Sequence, residues 1–275
     1  MPAETRKQTL VVATTLCLVC SVLVSTAAVV LRPIQQENKK LDIQRNILKV
    51  AGIYDENKDV ASQFRAVESE LVLLPPTGGG PGLVLEGQVA RDEGYDLETF
   101  DSRKDAKSPD SVPIPDGALP QIAKRETAAF VYKINGPNGE LDQIILPIYG
   151  KGLWSTLYGF IAIDADRVTI RGITFYEHGE TPGLGGEVEN ETWKAQWSGK
   201  KTIGDIDGKP IQISVKKGQV VAGDPAADYQ VDGLSGATIT SNGVTALVRY
   251  WLGPHGFGPY LSNYESDSGT EDSDG

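Results

Sequence analysis

Two hydrophobic patterns divide the chain. Residues 9–31 contain no charge, and 23 residues at about 1.5 Å each reach about 34 Å, enough to cross a hydrocarbon core of about 30 Å with some tilt. Arg6 and Lys7 flank the run on one side, Arg32 and Pro33 on the other. The small residues Ser25-Thr26-Ala27-Ala28 would suit a cleaved signal peptide, but the apolar run exceeds the usual length of about 7–15 residues, so a retained transmembrane helix is predicted. From Thr127 onward the period falls to two. Residues 127–134 and 141–148 flank Asn135-Gly136-Pro137-Asn138-Gly139 as one hairpin, residues 158–163 and 167–175 flank Asp164-Ala165-Asp166 as another, and 210–216 form a further strand.

Helical periodicity is confined to three places. One is 37–51, one the short 192–197 turn, and one the segment after Thr238, where Val244, Leu247, Val248, Trp251 and Leu252 recur on one face. Thr240, Ser241 or Asn242 can cap the start of that last helix. The pattern predicts an α+β protein: a single N-terminal transmembrane helix, then a soluble domain with an antiparallel sheet and flanking helices. Breaker-rich stretches at 74–82 and 105–120 read as loops in or around an N-terminal subdomain.

Composition narrows the partners. Removing Arg6, Lys7, Arg32 and Glu4 from the 26 basic and 37 acidic residues leaves 23 and 36, so residues 33–275 carry a net charge of −13. That surface is poorly suited to nucleic acid or to an anionic membrane face. The stretch from Glu265 to Gly275 holds no aliphatic or aromatic residue and reads as a disordered acidic tail. Cys17 and Cys20 both fall inside the apolar run, which excludes disulfides, iron–sulfur clusters and Cys-based zinc sites beyond it. As packing residues of a membrane helix they need no further role.

The candidate chemistry lies in three loops. Asp232-Gly233-Leu234-Ser235-Gly236-Ala237-Thr238 is rich in small and hydroxylated residues and leads into a helix, whose unpaired N–H groups and dipole favour a phosphate. Read from its residues alone it is either a capped loop or a ligand seat. A nucleophile elbow around Ser235 is the competing reading; Ala237 replaces its last glycine, and His255 is the only histidine after it in the chain. The second loop, Tyr149-Gly150-Lys151-Gly152-Leu153-Trp154-Ser155, offers aromatic rings beside glycines. In the third, Glu177 to Gly186, glycines expose backbone N–H groups. The glycine run at 78–82 lacks the Lys-Ser/Thr of a phosphate-binding loop, and no Gly-x-Gly-x-x-Gly follows a strand, so no nicotinamide cofactor is expected on this chain. His178, without a second His or a Cys beside it, makes a poor metal site.

The Asp232–Thr238 string resembles the Asp-Gly-Leu-Ser-Gly-Ala-Thr signature of proteins that carry FMN covalently on the final threonine. Leu41-Asp42, Asn46-Ile47-Leu48, Ala51-Gly52, Gly152-Leu153-Trp154-Ser155 and Glu180-Thr181-Pro182-Gly183-Leu184-Gly185 follow the same order as in the C subunits of the bacterial Na+-translocating NADH:quinone oxidoreductases, and the chain is similar to that family from the apolar run to Trp251. The resemblance implies a phosphoester between FMN and Thr238. It further implies flavin contacts from Ser235, Gly236, Ala237, Trp154, Glu180, Thr181, Gly183, Leu184 and Gly185, with no catalytic side chain and no metal. It implies an electron relay whose NADH site lies elsewhere in the complex, a flavin transferase for maturation, and other subunits and membrane lipid as partners. It places residues 1–8 in the cytoplasm, 9–31 across the inner membrane, a subdomain at 32–124 and the FMN-binding domain at 125–262 in the periplasm, and the tail at 263–275. A flavin carrier of an Rnf-type complex, a free-standing flavin reductase and an anchored module without cofactor are the alternatives. The match around Leu41 and Asn46 favours the first family.

Overall fold

A computed structural model describes residues 6–76, 80, 82–114 and 120–267. The chain forms two compact units, Met1–Gln44 and Arg45–Gly275. In the first, helix α1 (Arg6–Val50) presents Leu10, Val12, Leu16, Val22 and Val30 outward, and Cys17 and Cys20 are exposed free thiols on the same helix. A helix satisfies its own backbone while offering apolar side chains, which is the form lipid accepts; α1 is long and apolar enough to cross a bilayer. The sequence pattern predicted an anchor and a separate helix from residue 37. The two are one helix, because Pro33 removes a single donor and no glycine stands between Leu31 and Gln44 to stop the run.

Within the second unit the chain begins with the end of α1. Ile47 and Leu48 are fully buried, and Gly52 (φ +72°) closes the helix, its N–H reaching Lys49 O at 3.0 Å and that of Ile53 reaching Leu48 O at 3.1 Å. Then come α2 (Val60–Phe64), β1 (Val67–Leu73), β2 (Leu83–Leu85), α3 (Gly87–Asp92), α4 (Ser102–Asp105) and the short pair β3 (Val112–Pro113) and β4 (Lys124–Arg125). Four long strands follow: β5 (Ala128–Asn135), β6 (Leu141–Lys151), β7 (Thr156–Asp164) and β8 (Ile170–Glu177). After α5 (Glu191–Ala195) lie the hairpin β9 (Ile203–Ile206) and β10 (Lys209–Gln212), then β11 (Ser214–Val215), β12 (Gln230–Val231), α6 (Thr238–Trp251) and α7 (Gly258–Asp267).

The main sheet has six antiparallel strands in the order β2-β1-β5-β6-β7-β8. Both expected hairpins form, at β5–β6 and β7–β8. The expected strand 210–216 is two: β10 pairs antiparallel with β9, Ile213 turns inward, and β11 pairs in parallel with β12. Strand β1 pairs with β5 along all its length, so residues from both sides of position 124 share one sheet. Of the loop 105–120, Val112 and Pro113 are strand; 115–119, like 77–79 and 81 of the other loop, lie outside the described residues. Helix α7 carries the chain through Asp267, so the first residues of the expected tail are helical, and 268–275 fall outside the description.

Strand β6 is buried on both faces. Ile144, Leu146 and Ile148 join Ile161, Ile163, Val244, Leu247, Val248 and Trp251 in the core under α6. On the opposite face Gln143 Nε2 donates to Ala51 O at 3.0 Å, and the backbone of Val50 lies against Gly172. Close to α6 sits a buried polar cluster. The Arg125 guanidinium donates to Tyr250 Oη (3.0 Å), Glu126 O (2.7 Å) and Pro75 O, and the Tyr149 hydroxyl donates to Glu126 Oε2. Burial pushes the Glu126 carboxyl up to about 7, against the downward pull of the Tyr149 hydroxyl and the Arg125 charge.

The sign of the resulting pH dependence is fixed. Folded protein holds the Glu126 proton to about pH 7 and unfolded chain releases it near the ordinary value of about 4.3, so this group's stabilising contribution is full below about 4.3 and lost as pH rises through 7. Glu126→Gln cannot ionise. Urea unfolding between about pH 5 and about pH 8 should show wild-type stability declining relative to the variant; parallel pH profiles would contradict the assignment.

Candidate functional site

Antiparallel pairing brings two loops to one end of the sheet. The β6–β7 ladder ends at Lys151 opposite Thr156, leaving 152–155 as the turn, and β8 ends at Glu177 opposite Tyr158, leaving the 178–184 loop beside it. Helix α6 is brought to the same end by two glycines. A Cβ on Gly243 would lie 2.3 Å from Lys151 O, and one on Gly150 would lie 2.6 Å from Leu247 Cβ, so helix and strand backbones meet directly. The N-terminus of α6 therefore sits next to Gly152.

Glu180 ties these three segments together. It is 5% exposed, and its Oε1 accepts from the Trp154 N–H (2.9 Å) and the Ser155 N–H (3.1 Å), its Oε2 from the Leu153 N–H (3.2 Å) and the Thr240 hydroxyl (2.7 Å). Burial raises the carboxyl, but the Thr240 hydroxyl and the three N–H groups outweigh it and hold the pKa below the ordinary carboxylate range. A Cβ on Gly152 would meet Glu180 Oε1 at 2.6 Å, and one on Gly185 would meet both Glu180 Oε2 and Thr240 Oγ1 at 2.7 Å. Those two glycines make room for the carboxylate. Upstream, the Gly179 N–H donates to Ser155 Oγ (2.6 Å) and the Glu180 N–H to His178 Nδ1 (3.2 Å), while His178 Nε2 lies 3.0 Å from Glu189 Oε1.

Each residue of the 232–238 string has a distinct part. Asp232 Oδ1 accepts from the Val220 N–H (2.7 Å), and Asp232 O from the Trp193 indole (2.8 Å). Gly233 passes so close to Lys216 that a Cβ would stand 2.4 Å from its carbonyl oxygen. Leu234 is buried, Gly236 takes φ +68° with Leu184 over it, and Ala237 is the buried N-cap. Ser235 and Thr238 stay exposed.

The expected cap is not there. Helix α6 starts at Thr238, its first helical bond runs from Ser241 N to Ala237 O, and no side chain caps it. The sequence offered Thr240, Ser241 or Asn242, but the first is spent on Glu180 and Ser241 Oγ accepts from the Leu234 N–H (3.0 Å). Ahead of the first helical bond, the N–H groups of Thr238, Ile239 and Thr240 remain a seat for an anion.

The segments that meet there carry exposed apolar side chains: Trp154 is 67% exposed, Ile239 58%, Leu184 44% and Leu153 42%. Leu153, in the β6–β7 turn, and Ile239, in the first turn of α6 but outside its buried stripe, are additions to the expected set. Thr181, Gly183 and Leu184 are exposed as a contact role requires, and Gly183 has φ +75° with open space where a Cβ would stand. The Glu180 carboxylate points to the protein's own donors. Gly185 likewise packs inward against Glu180, and Tyr149 belongs to the core, stacked with Tyr158 and packed on Trp251. His255 packs on Tyr250 at the far end of α6, a helix of 14 residues, which removes it as a partner for Ser235.

Comparison with known proteins decides the family. Residues 152–253, which hold all three segments, match the FMN-binding domain model. The chain is 46% identical over 92% of its length to the C subunit of the Na(+)-translocating NADH-quinone reductase of Yersinia pestis, covering 91% of that protein, and 43% identical over 94% to that of Pseudomonas aeruginosa, covering 96%. The chain belongs to the C-subunit family of the Na(+)-translocating NADH-quinone reductases. Among solved structures it is similar to NqrC of Shewanella oneidensis (TM-score 0.68, 33% identity, 83% of this chain and 99% of that one) and to the corresponding protein of Parabacteroides distasonis (TM-score 0.60, 28% identity, 84% and 97%).

The chain is thus a flavoprotein component of a translocating reductase, and its cofactor is FMN. The residues present fit that molecule. An uncapped helix start suits its phosphate and an exposed apolar surface suits its ring.

Glu180→Gln keeps the shape but offers one acceptor oxygen where four donors converge. Stranded buried donors cost about 1–3 kcal/mol each, so the variant should lose about 2–4 kcal/mol near neutral pH. A depressed folded pKa means that the contribution of Glu180 is present above about pH 4.3 and lost as pH falls through the folded value. Denaturant midpoints should therefore converge in acid, and a constant gap would refute the role of the charge.

Proposed function

We propose that the chain carries FMN covalently, as a phosphoester of Thr238, and relays electrons inside the Na+-translocating NADH:quinone oxidoreductase. The observation that carries the reading is the contrast among hydroxyls at the head of α6. Thr240 is 1% exposed and bonded to Glu180, and Ser241 accepts from Leu234, whereas Thr238 is exposed at the first turn of an uncapped helix. Ser235 is also exposed, but it precedes the left-handed Gly236 and lies outside the helix.

Bound FMN supplies one- and two-electron chemistry that no side chain here provides. The chain's own residues bind and orient. Backbone N–H groups of 238–240 would receive the phosphate, Trp154, Leu153, Leu184 and Ile239 would shield one face of the ring from water, and Ser235, Gly236 and Ala237 form the turn that leads into the helix. Thr181, Gly183 and Gly185 give the backbone of the facing loop. No His or Lys stands within the 232–238 string to take the hydroxyl proton, so a separate, metal-dependent flavin transferase forms the bond. The FMN-binding domain is placed at 125–262, enclosing the matched 152–253.

Helix α1 anchors the chain in the inner membrane beside the other subunits, with residues 1–8 in the cytoplasm, 9–31 in lipid and the flavin domain in the periplasm. Cytoplasmic NADH is oxidised elsewhere in the complex. Residues 32–124 and 263–275 flank the flavin domain on that side.

Two experiments test this. Thr238→Val, co-expressed with the transferase, should fold yet run dark on a gel viewed by flavin fluorescence, while wild type glows; label that persists and maps to Thr240 or Ser235 refutes the attachment. Protease added to spheroplasts should digest the chain beyond Arg32 and spare a small N-terminal fragment. Protection until the cells are lysed would reverse the orientation.

A further inference from the structure

Glu180 has the place of a flavin-contacting residue but the bonding of a structural one. Its two oxygens are filled by four donors of this chain, from two other segments: the N–H groups of Leu153, Trp154 and Ser155, and the hydroxyl of Thr240. The Trp154 N–H and the Thr240 hydroxyl end on the two oxygens of one carboxylate. The turn that carries the exposed indole is thereby fastened to the helix whose first residue is Thr238.

We propose that Glu180 is a positioning residue for the flavin, acting through Trp154: the carboxylate holds the 152–155 turn so that the indole lies on the isoalloxazine ring attached at Thr238. This rests on the Thr238 reading. Three features support the indirect route. Glu180 is buried while Trp154 is 67% exposed, so the indole has free surface to offer and the carboxylate has none. The turn has no other side-chain acceptor for those N–H groups among the described residues; Gly152 N instead closes the turn on Ser155 O at 2.8 Å. Gly152 and Gly185 leave the carboxylate room that any Cβ would take. Neutral, isosteric Gln would present N–H to N–H and release the turn.

An indole stacked on isoalloxazine quenches its emission, and a covalently held flavin stays in place whatever the pocket does. The test is a double-mutant cycle on the full chain, flavinylated by the transferase, with flavin fluorescence and midpoint potential as readouts. Trp154→Leu should brighten emission several-fold and shift the potential, and Glu180→Gln should do the same to a lesser or equal degree. In the Glu180→Gln/Trp154→Leu protein the Glu180 change should add nothing to the Trp154 change. If Glu180→Gln leaves wild-type emission and potential unaltered, or if its effect persists undiminished in the Trp154→Leu background, the carboxylate does not act through the indole and the proposal falls. Should Glu180→Gln fail to fold, Gly185→Ala, whose methyl meets the carboxylate at Oε2 and would displace it, takes its place in the cycle with the same expectations. Label lost from all proteins, or mapping away from Thr238, overturns the attachment instead; label retained at Thr238 with additive effects overturns only the positioning role.

Discussion

The bonds of the Glu180 carboxylate set the geometry at the end of the sheet. A buried carboxylate is tolerable only when its lone pairs are filled, and here the partners come from the β6–β7 turn and the head of α6, separated in sequence by more than 80 residues. Because unfilling any one of them strands a donor or an acceptor, displacing one segment costs the bonds of the others. The proposed cofactor seat is thus assembled from loops tied together by buried hydrogen bonds.

Those bonds would be idle if the helix were not already in place. Gly150 and Gly243 let α6 lie on β6 at backbone contact, and Trp251 at the other end donates its indole N–H to Tyr149 O (2.6 Å), so the helix is fixed along its length over the central strand. Thr240 and Ser241, two of the side chains that could have capped it, are engaged elsewhere. The result is a helix whose unpaired N–H groups are kept at a defined point of the surface, beside a hydroxyl and under an apolar rim.

Much of this was legible from residues. The hairpins β5–β6 and β7–β8 follow from alternation around polar turns, and α6 follows from the spacing of Val244, Leu247, Val248 and Trp251. Strand β1 escaped because Glu68 and Glu70 interrupt its apolar run; in the fold both pair with Lys133 on β5, a long-range compensation that no local window contains. The separate helix expected after the anchor failed for the converse reason, since Pro33 reads as a boundary while the helix runs through it from Arg6 to Val50. Among site residues, the 232–238 string declared itself, whereas Glu180 gave only a glycine-rich loop. Its partners lie 25 to 60 positions away, and the glycines beside it are there for its carboxylate as much as for any ligand.

An exposed seat and a covalent bond suit each other. A site that surrounds FMN would bury the ring and lengthen the path to the next electron carrier, while an open apolar shelf such as Trp154, Leu184 and Ile239 leaves one face free but holds a ligand weakly. On the proposed reading the phosphoester at Thr238 removes the need for enclosure: the cofactor cannot diffuse away, and each contact is free to orient the ring instead of retaining it. Orientation then rests on the rim, whose 152–155 turn is held by Glu180. The buried carboxylate and the exposed threonine thus divide between them what an enclosed pocket would do alone, one fixing where the ring lies and the other that it stays.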